Sequence, residues 1–117
     1  MTGSTSYHAG LAAEAIVERH YEREGARVLA RRWRDENGEL DLVVSDGDAI
    51  VFVEVKKSKS FANAASRLSN RQILRIQATA SGYLATTPLG QSSNVRFDVA
   101  LVDGIGAVQV IQNAFGH

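Results

Sequence analysis

The sequence predicts a single α/β domain, a mixed β-sheet flanked by helices in the order α-β-β-β-α-β-β, and three observations carry that prediction. Two segments, residues 9–24 and 69–85, place apolar side chains at helical spacing. Five shorter segments are rich in β-branched, aromatic and other apolar residues and are separated by turn-forming clusters or by a helix. The chain has 117 residues, 44% of them hydrophobic, which supports one core and leaves little room for a second domain. A helix between the third and fourth strands suits a sheet with helical layers.

The elements follow in order. Residues 1–8 read as a flexible N-terminus, residues 9–112 as the domain and residues 113–117 as a C-terminal tail. In the first helix Ala13, Ile16, Val17, His20 and Tyr21 share a face, and Gly25 is a stop signal. Arg27–Trp33 is a short strand centred on Val28 and Leu29, closed by the turn cluster Asp35-Glu36-Asn37-Gly38. Glu39–Val44 and Ala49–Lys57 read as an antiparallel hairpin turning at Asp46-Gly47. Ser69–Ala85 is the second helix, with Ile73, Ile76, Ala80, Tyr83 and Leu84 on one face. Val95–Val102 and Ala107–Ile111 complete the sheet around Asp103-Gly104.

Composition narrows the function. There is no cysteine, which excludes a disulfide framework, a thiolate metal site and a cysteine nucleophile. No apolar run approaches the ~20 residues that span a bilayer, and residues 1–10 lack the apolar stretch of a signal peptide, so a cytoplasmic, membrane-free protein is expected. No glycine-rich phosphate loop or nucleophile elbow is present. Net charge is zero, but it is segregated: residues 1–54 hold six basic and eleven acidic side chains, whereas residues 55–97 hold seven basic and none acidic. A one-sign segment of that length can create a positive field inside a neutral protein.

The hairpin carries the chemistry. Strand alternation puts Leu40, Leu42, Val44, Val51, Val53 and Val55 on one apolar face, and Glu39, Asp41, Glu54 and Lys56 on the other. With Asp46-Gly47 as the two turn residues, Asp41 opposes Phe52, Glu39 opposes Glu54, and Asp41 lies diagonal to Glu54. Opposed carboxylates with Cβ atoms about 5 Å apart repel, and a divalent cation between them removes the conflict. An all-oxygen donor set suits Mg2+ or Mn2+, which also grip phosphate. The ordinary alternative is a half-solvated hairpin with one polar face. Glu14, at the border of the first helix's apolar face, either reaches this cluster or points to water. Arg67, Arg71 and Arg75 recur every four residues as a stripe of phosphate contacts or a solvated face, and the absence of interleaved acids favours phosphate. Gln72 lies off this stripe, near the cluster or on plain surface. Trp33, among arginines, is read as core rather than as a base-stacking platform.

The Asp41 … Glu54-Val55-Lys56 pattern resembles the PD-(D/E)xK signature of restriction-endonuclease-like nucleases. Gly38-Glu-Leu-Asp-Leu42, Val51-Phe-Val-Glu-Val-Lys56, Arg96-Phe-Asp-Val99 and Ala30-Arg-Arg-Trp-Arg34 resemble the blocks of the bacterial YraN family, over about residues 9–112. The resemblance implies a restriction-endonuclease-like fold similar to Holliday junction resolvases. It implies Asp41 and Glu54 as ligands of Mg2+ or Mn2+, Lys56 as the catalytic lysine, and Glu14 and Glu39 as supporting acids. The chain departs from the family pattern at Arg32, Ser58, Ala62 and Gln72, where asparagine, arginine, glycine and lysine are usual; Lys57 and Lys59 stand near the missing charge. The expected activity is metal-dependent endonucleolytic cleavage of structured, branched DNA; the expected partner is DNA, branched or single-stranded, with Arg67, Arg71, Gln72, Arg75, Lys57 and Lys59 on the nucleic acid. A homodimer is expected by analogy with two-strand resolvases. The alternatives are a nuclease-like module that binds without cutting, and a plain interaction domain.

Overall fold

The computed structural model describes residues 2–57 and 68–115, with side chains described from residue 12 onward. Helix α1 spans Thr2–Arg23, followed by β1 (Arg27–Asp35), β2 (Gly38–Asp46), β3 (Ala49–Lys57), α2 (Asn70–Leu84), a 3-10 turn (Gly90–Ser92), β4 (Asn94–Val102) and β5 (Val108–Phe115). This is the order the sequence predicts. The strands lie in sequence order in one sheet. All neighbours are antiparallel except β3 and β4, which are parallel and connected through α2.

The helix ends follow local chemistry. Gly25 takes φ +93°, and the Ala26 and Gly25 amides donate to the Tyr21 and Glu22 carbonyls, which stops α1 in a Schellman turn. At the other helix, the Ser69 hydroxyl accepts from the Gln72 amide while the Gln72 side chain accepts from the Ser69 amide. This reciprocal capping box satisfies two donors that a bare helix end leaves open. The start of α1 differs from expectation: the helix begins at Thr2, seven residues before Ala9. Gly3 and Gly10 weaken this stretch by about 1 kcal/mol each relative to alanine, but no proline breaks it.

The sheet is buried on both faces, not one. Ala13, Val17 and Tyr21 of α1 cover Leu42, Val44, Val51, Val53, Ala100 and Val102. Ile76, Ala80 and Leu84 of α2 cover Leu40, Val43, Phe52 and Phe97, with Trp33 and Tyr83 at the margin. Trp33 is thus core, edge-on to Tyr83 at 5.4 Å between ring centroids. Leu40 therefore does not share the face of Leu42 and Val44 as simple alternation predicts. The β1–β2 register shifts between Val28 and Ala30 and is continuous beyond it, yet the rows Ala30–Val43 and Trp33–Leu40, three residues apart, both contribute to the α2 core, so the alternation of faces breaks between them. Arg32 sits inside that break at φ +49°. A local break of alternation re-aims the side chains it contains.

The hairpin register also differs. Asp46 pairs with Ala49, and Gly47 at φ +62° is the first turn residue, with Asp48 the second. Glycine in that first position is the II′ preference, whereas Asp46-Gly47 would require both turn residues at positive φ. The register moves by two: Val44 pairs with Val51 and Leu42 with Val53. At the C-terminal end, β5 runs to Phe115, so residues 113–115 form strand rather than tail. Asn113 at φ +50° makes this possible, turning its amide onto the Asp98 carboxylate at 3.0 Å where the β4–β5 register shifts.

Candidate functional site

The corrected register brings Asp41 and Glu54 to adjoining positions at the point where β2 and β3 separate. Their last paired residues are Leu42 and Val53. Beyond that pair, carboxylates replace backbone partners. Asp41 Oδ2 accepts from the Val55 amide at 2.8 Å, and the Glu54 carboxylate accepts from the Asp41 amide. The two carboxyl groups act on each other's ionisation. Burial pushes both groups above the usual carboxylate range, and the Asp41 charge raises Glu54 further. The Lys56 ammonium pulls both the other way and is close enough to act on each.

Cavities open on either side. One of about 260 Å³ on the α1 side is lined by Glu14, Glu18, Arg31, Arg32, Asp41 and neighbours. One of about 250 Å³ on the α2 side is lined by Gly38, Glu39, Glu54, Gln72, Arg75 and Ile76. A Cβ added to Gly38 would stand 3.0 Å from Arg75 Cγ, so glycine here lets the Arg75 stem lie against β2. A larger cavity of about 480 Å³, lined by Gln77, Ser81, Gln91, Asn94 and Phe97 among others, has no ionisable lining residue. It therefore offers neither acid–base nor metal chemistry.

Glu14 does reach the site from α1, but as an ion-pair partner. Arg32 Nη1 donates to both its carboxylate oxygens at 3.1 and 3.0 Å. Burial and the Asp41 charge raise Glu14, against the lowering pull of Arg32. Glu39 lies 3.4 Å from Arg32 Nη2 and accepts from Arg34 Nη2 at 2.8 Å. The structure thus joins four carboxylates around the expected centre and adds Arg32, which sequence reasoning had noted only as a departure. Among the described residues no group of three or more His, Cys, Asp or Glu is placed to hold a metal ion. Asp41 and Glu54 form a pair of hard oxygen donors, the chemistry that Mg2+ or Mn2+ would accept.

The expected phosphate contacts are partly assembled. Arg71 and Arg75 are exposed on α2, and Arg75 borders the same cavity as Glu54. Lys57 is exposed at the end of β3. Gln72 borders that cavity too, but its carbonyl oxygen holds the helix cap, a role legible in Ser69-x-x-Gln72. Lys59 and Arg67 lie outside the described residues, and the helix starts after Arg67, so the stripe on α2 is Arg71 and Arg75.

Sequence comparisons agree with the blocks read above. The model of "Uncharacterised protein family UPF0102" matches residues 13–102. A UPF0102 protein of Cereibacter sphaeroides is 56% identical over 98% of both chains. One from Ruegeria pomeroyi is 51% identical over 98% of this chain and 94% of its own. A more distant one from another Ruegeria strain is 42% identical over 98% of this chain and 93% of its own. The chain belongs to the UPF0102 family, the YraN family to which its sequence blocks point.

Proposed function

We propose that this protein is a divalent-metal-dependent endonuclease of restriction-endonuclease-like type that hydrolyses phosphodiester bonds in structured, branched DNA. The observation that carries the reading is the buried Asp41–Glu54 pair, two carboxyls held against each other where the hairpin opens, with Lys56 within electrostatic reach. Like charges so placed destabilise the fold unless a proton or cation joins them. A bound Mg2+ or Mn2+ would polarise a phosphoryl oxygen and favour ionisation of water.

The chain's own residues supply the rest. Asp41 and Glu54 would hold the ion, each carboxylate fixed by a backbone amide of the facing strand. Lys56 holds the scissile phosphate or orients the attacking water. Glu14 and Glu39 act at one remove, since Arg32 and Arg34 bind their oxygens. Arg75, Arg71 and Lys57 contact flanking phosphates. On this reading the chain works where nucleic acid is, in the cytoplasm; no described helix is long and apolar enough to cross a membrane.

The non-catalytic reading, a module that binds nucleic acid without cutting, draws on one observation: Arg32 engages two of the four acids, leaving two donors. One experiment separates the two. End-labelled four-way-junction, flap and single-stranded DNA are incubated with Mg2+, Mn2+ or chelator. Cutting that needs metal and is lost in Asp41→Ala is the expected result. Binding without cutting, indifferent to Asp41→Ala, would leave the module.

A further inference from the structure

We propose that Arg32 serves as a resident cation in this site and limits it to one divalent ion. The inference rests on the metal reading of Asp41 and Glu54 and concerns what surrounds them. Arg32 stands on β1 where the alternation of faces breaks, between the pairs Arg31–Leu42 and Trp33–Leu40, and so beside Asp41. Its φ of +49° is a conformation that costs a non-glycine residue about 1–2 kcal/mol, held only where the surroundings enforce it.

Its guanidinium joins elements distant in sequence. Nη1 donates to Glu14 of α1 at 3.0 Å, and Nη2 lies 3.4 Å from Glu39 of β2. Arg32 is the side chain that ties these two acids together; Arg34 reaches Glu39 from the solvent side. Glu14 lines one cavity with Asp41, and Glu39 lines another with Glu54. In two-metal phosphoryl-transfer sites such flanking carboxylates hold a second ion. Here a planar fork with fixed donors already lies between them, and guanidinium cannot lose its charge.

Charge points the same way. Glu14, Glu39, Asp41 and Glu54 against Arg32, Arg34 and Lys56 carry a formal charge of −1, so one divalent cation already takes the set to +1. A second would take it to +3 and would have to displace Arg32 from Glu14 and Glu39. Arg32 is a positioning residue: it keeps Glu14 and Glu39 off the metal.

The test counts ions rather than turnover. Metal-stripped full-length protein is titrated with Mn2+, and free ion is read by electron paramagnetic resonance. Wild type binds one ion, and Asp41→Asn loses it. Arg32→Asn, which keeps a residue tolerant of positive φ, binds two, and adding Glu14→Gln returns the count to one. The double variant Glu14→Gln/Glu39→Gln, which leaves Arg32 in place, still binds one. Should Arg32→Asn fail to fold, that double variant decides: loss of its ion would make Glu14 or Glu39 a ligand and overturn the inference. A count of one on folded Arg32→Asn at millimolar Mn2+, or two on wild type, overturns it while leaving the metal reading intact. A count of zero on wild type removes the metal reading itself, and this inference with it.

Discussion

Two carboxylate clusters share this sheet, and they are built in opposite ways. Asp98 of β4 is fully buried and completely matched. It accepts from Tyr21 at 2.7 Å, from Arg96 Nε and Nη2 at 2.9 and 3.0 Å, and from the Asn113 amide at 3.0 Å. Arg96 continues to Asp46 at 3.2 Å, so α1, β2, β4 and β5 meet on one charge network. Asp41 and Glu54 instead face each other, and Arg32, beside Asp41 on β1, is engaged by Glu14 and Glu39. A carboxylate that only holds a fold together is given a cation and donors, because an unmatched buried charge is costly. A pair left facing its own kind has the property of a functional site, where perturbed ionisation concentrates. The contrast separates a structural acid from a chemical one without reference to how either is distributed among relatives.

The sharpest way to break the contrast is to remove one acid from each cluster. Asp41→Ala is expected to lower metal-dependent cleavage on the order of 10³-fold or more, as when one member of an interdependent catalytic set is lost. Its melting temperature without metal should stay level or rise, because a repulsion is removed. Asp98→Ala should do the reverse. Arg96 would lose its two nearest charge contacts, and the expected cost is about 3–5 kcal/mol in urea unfolding. Equal loss of stability in both variants would abolish the distinction.

A gentler test uses pH. In the metal-free protein Glu54 and Asp41 titrate above the ordinary carboxylate range, so the native state holds a proton that the unfolded chain has released. The sign follows from linkage: where the native state binds more protons, stability falls as pH rises. The window opens above about pH 4, the unfolded carboxylate value, and extends upward through neutrality to the raised native value. Melting temperatures in chelator should therefore drop between acid and neutral pH. Glu54→Gln should flatten that slope, and Mg2+ should offset it in wild type. A wild-type slope unchanged by Glu54→Gln would show that the pair does not share a proton.

Smaller effects refine the same picture. Tyr21→Phe should cost about 1 kcal/mol, the net worth of one hydrogen bond, since Asp98 keeps three other donors. Arg75→Ala should weaken DNA binding across sequences and lower the salt slope by about one, with no change in melting temperature. An unaltered salt slope would remove Arg75 from the phosphate contacts.

The element order, the strand content and the residues of the acidic centre are all legible in the chain. Ser69-x-x-Gln72 is a capping signature, and Gly25 closes a helix wherever it follows an amphipathic run. The pairing of Arg96 with Asp98 was open to view as well, since residues two apart on a strand lie on one face with opposite charges. What hid it was Tyr21, 77 positions from Asp98, which no spacing rule joins to β4.

The sequence by itself determined the helices and strands of the described residues, the acid–lysine set and the segregation of charge, because these rest on local periodicity and composition. Tertiary structure alone decided the register, the face of Leu40 and the role of Arg32. Asp46-Gly47 and Gly47-Asp48 are both acceptable turns locally, and they differ by two residues in what each strand position meets. Burial of β2 and β3 beneath two helices selects the pairing that puts Val43 and Phe52 into the α2 core. The left-handed backbone at Arg32 is likewise a global outcome. Its backbone cost is local, and the carboxylates that offset it come from α1 and β2, so no window of sequence contains both sides of the balance.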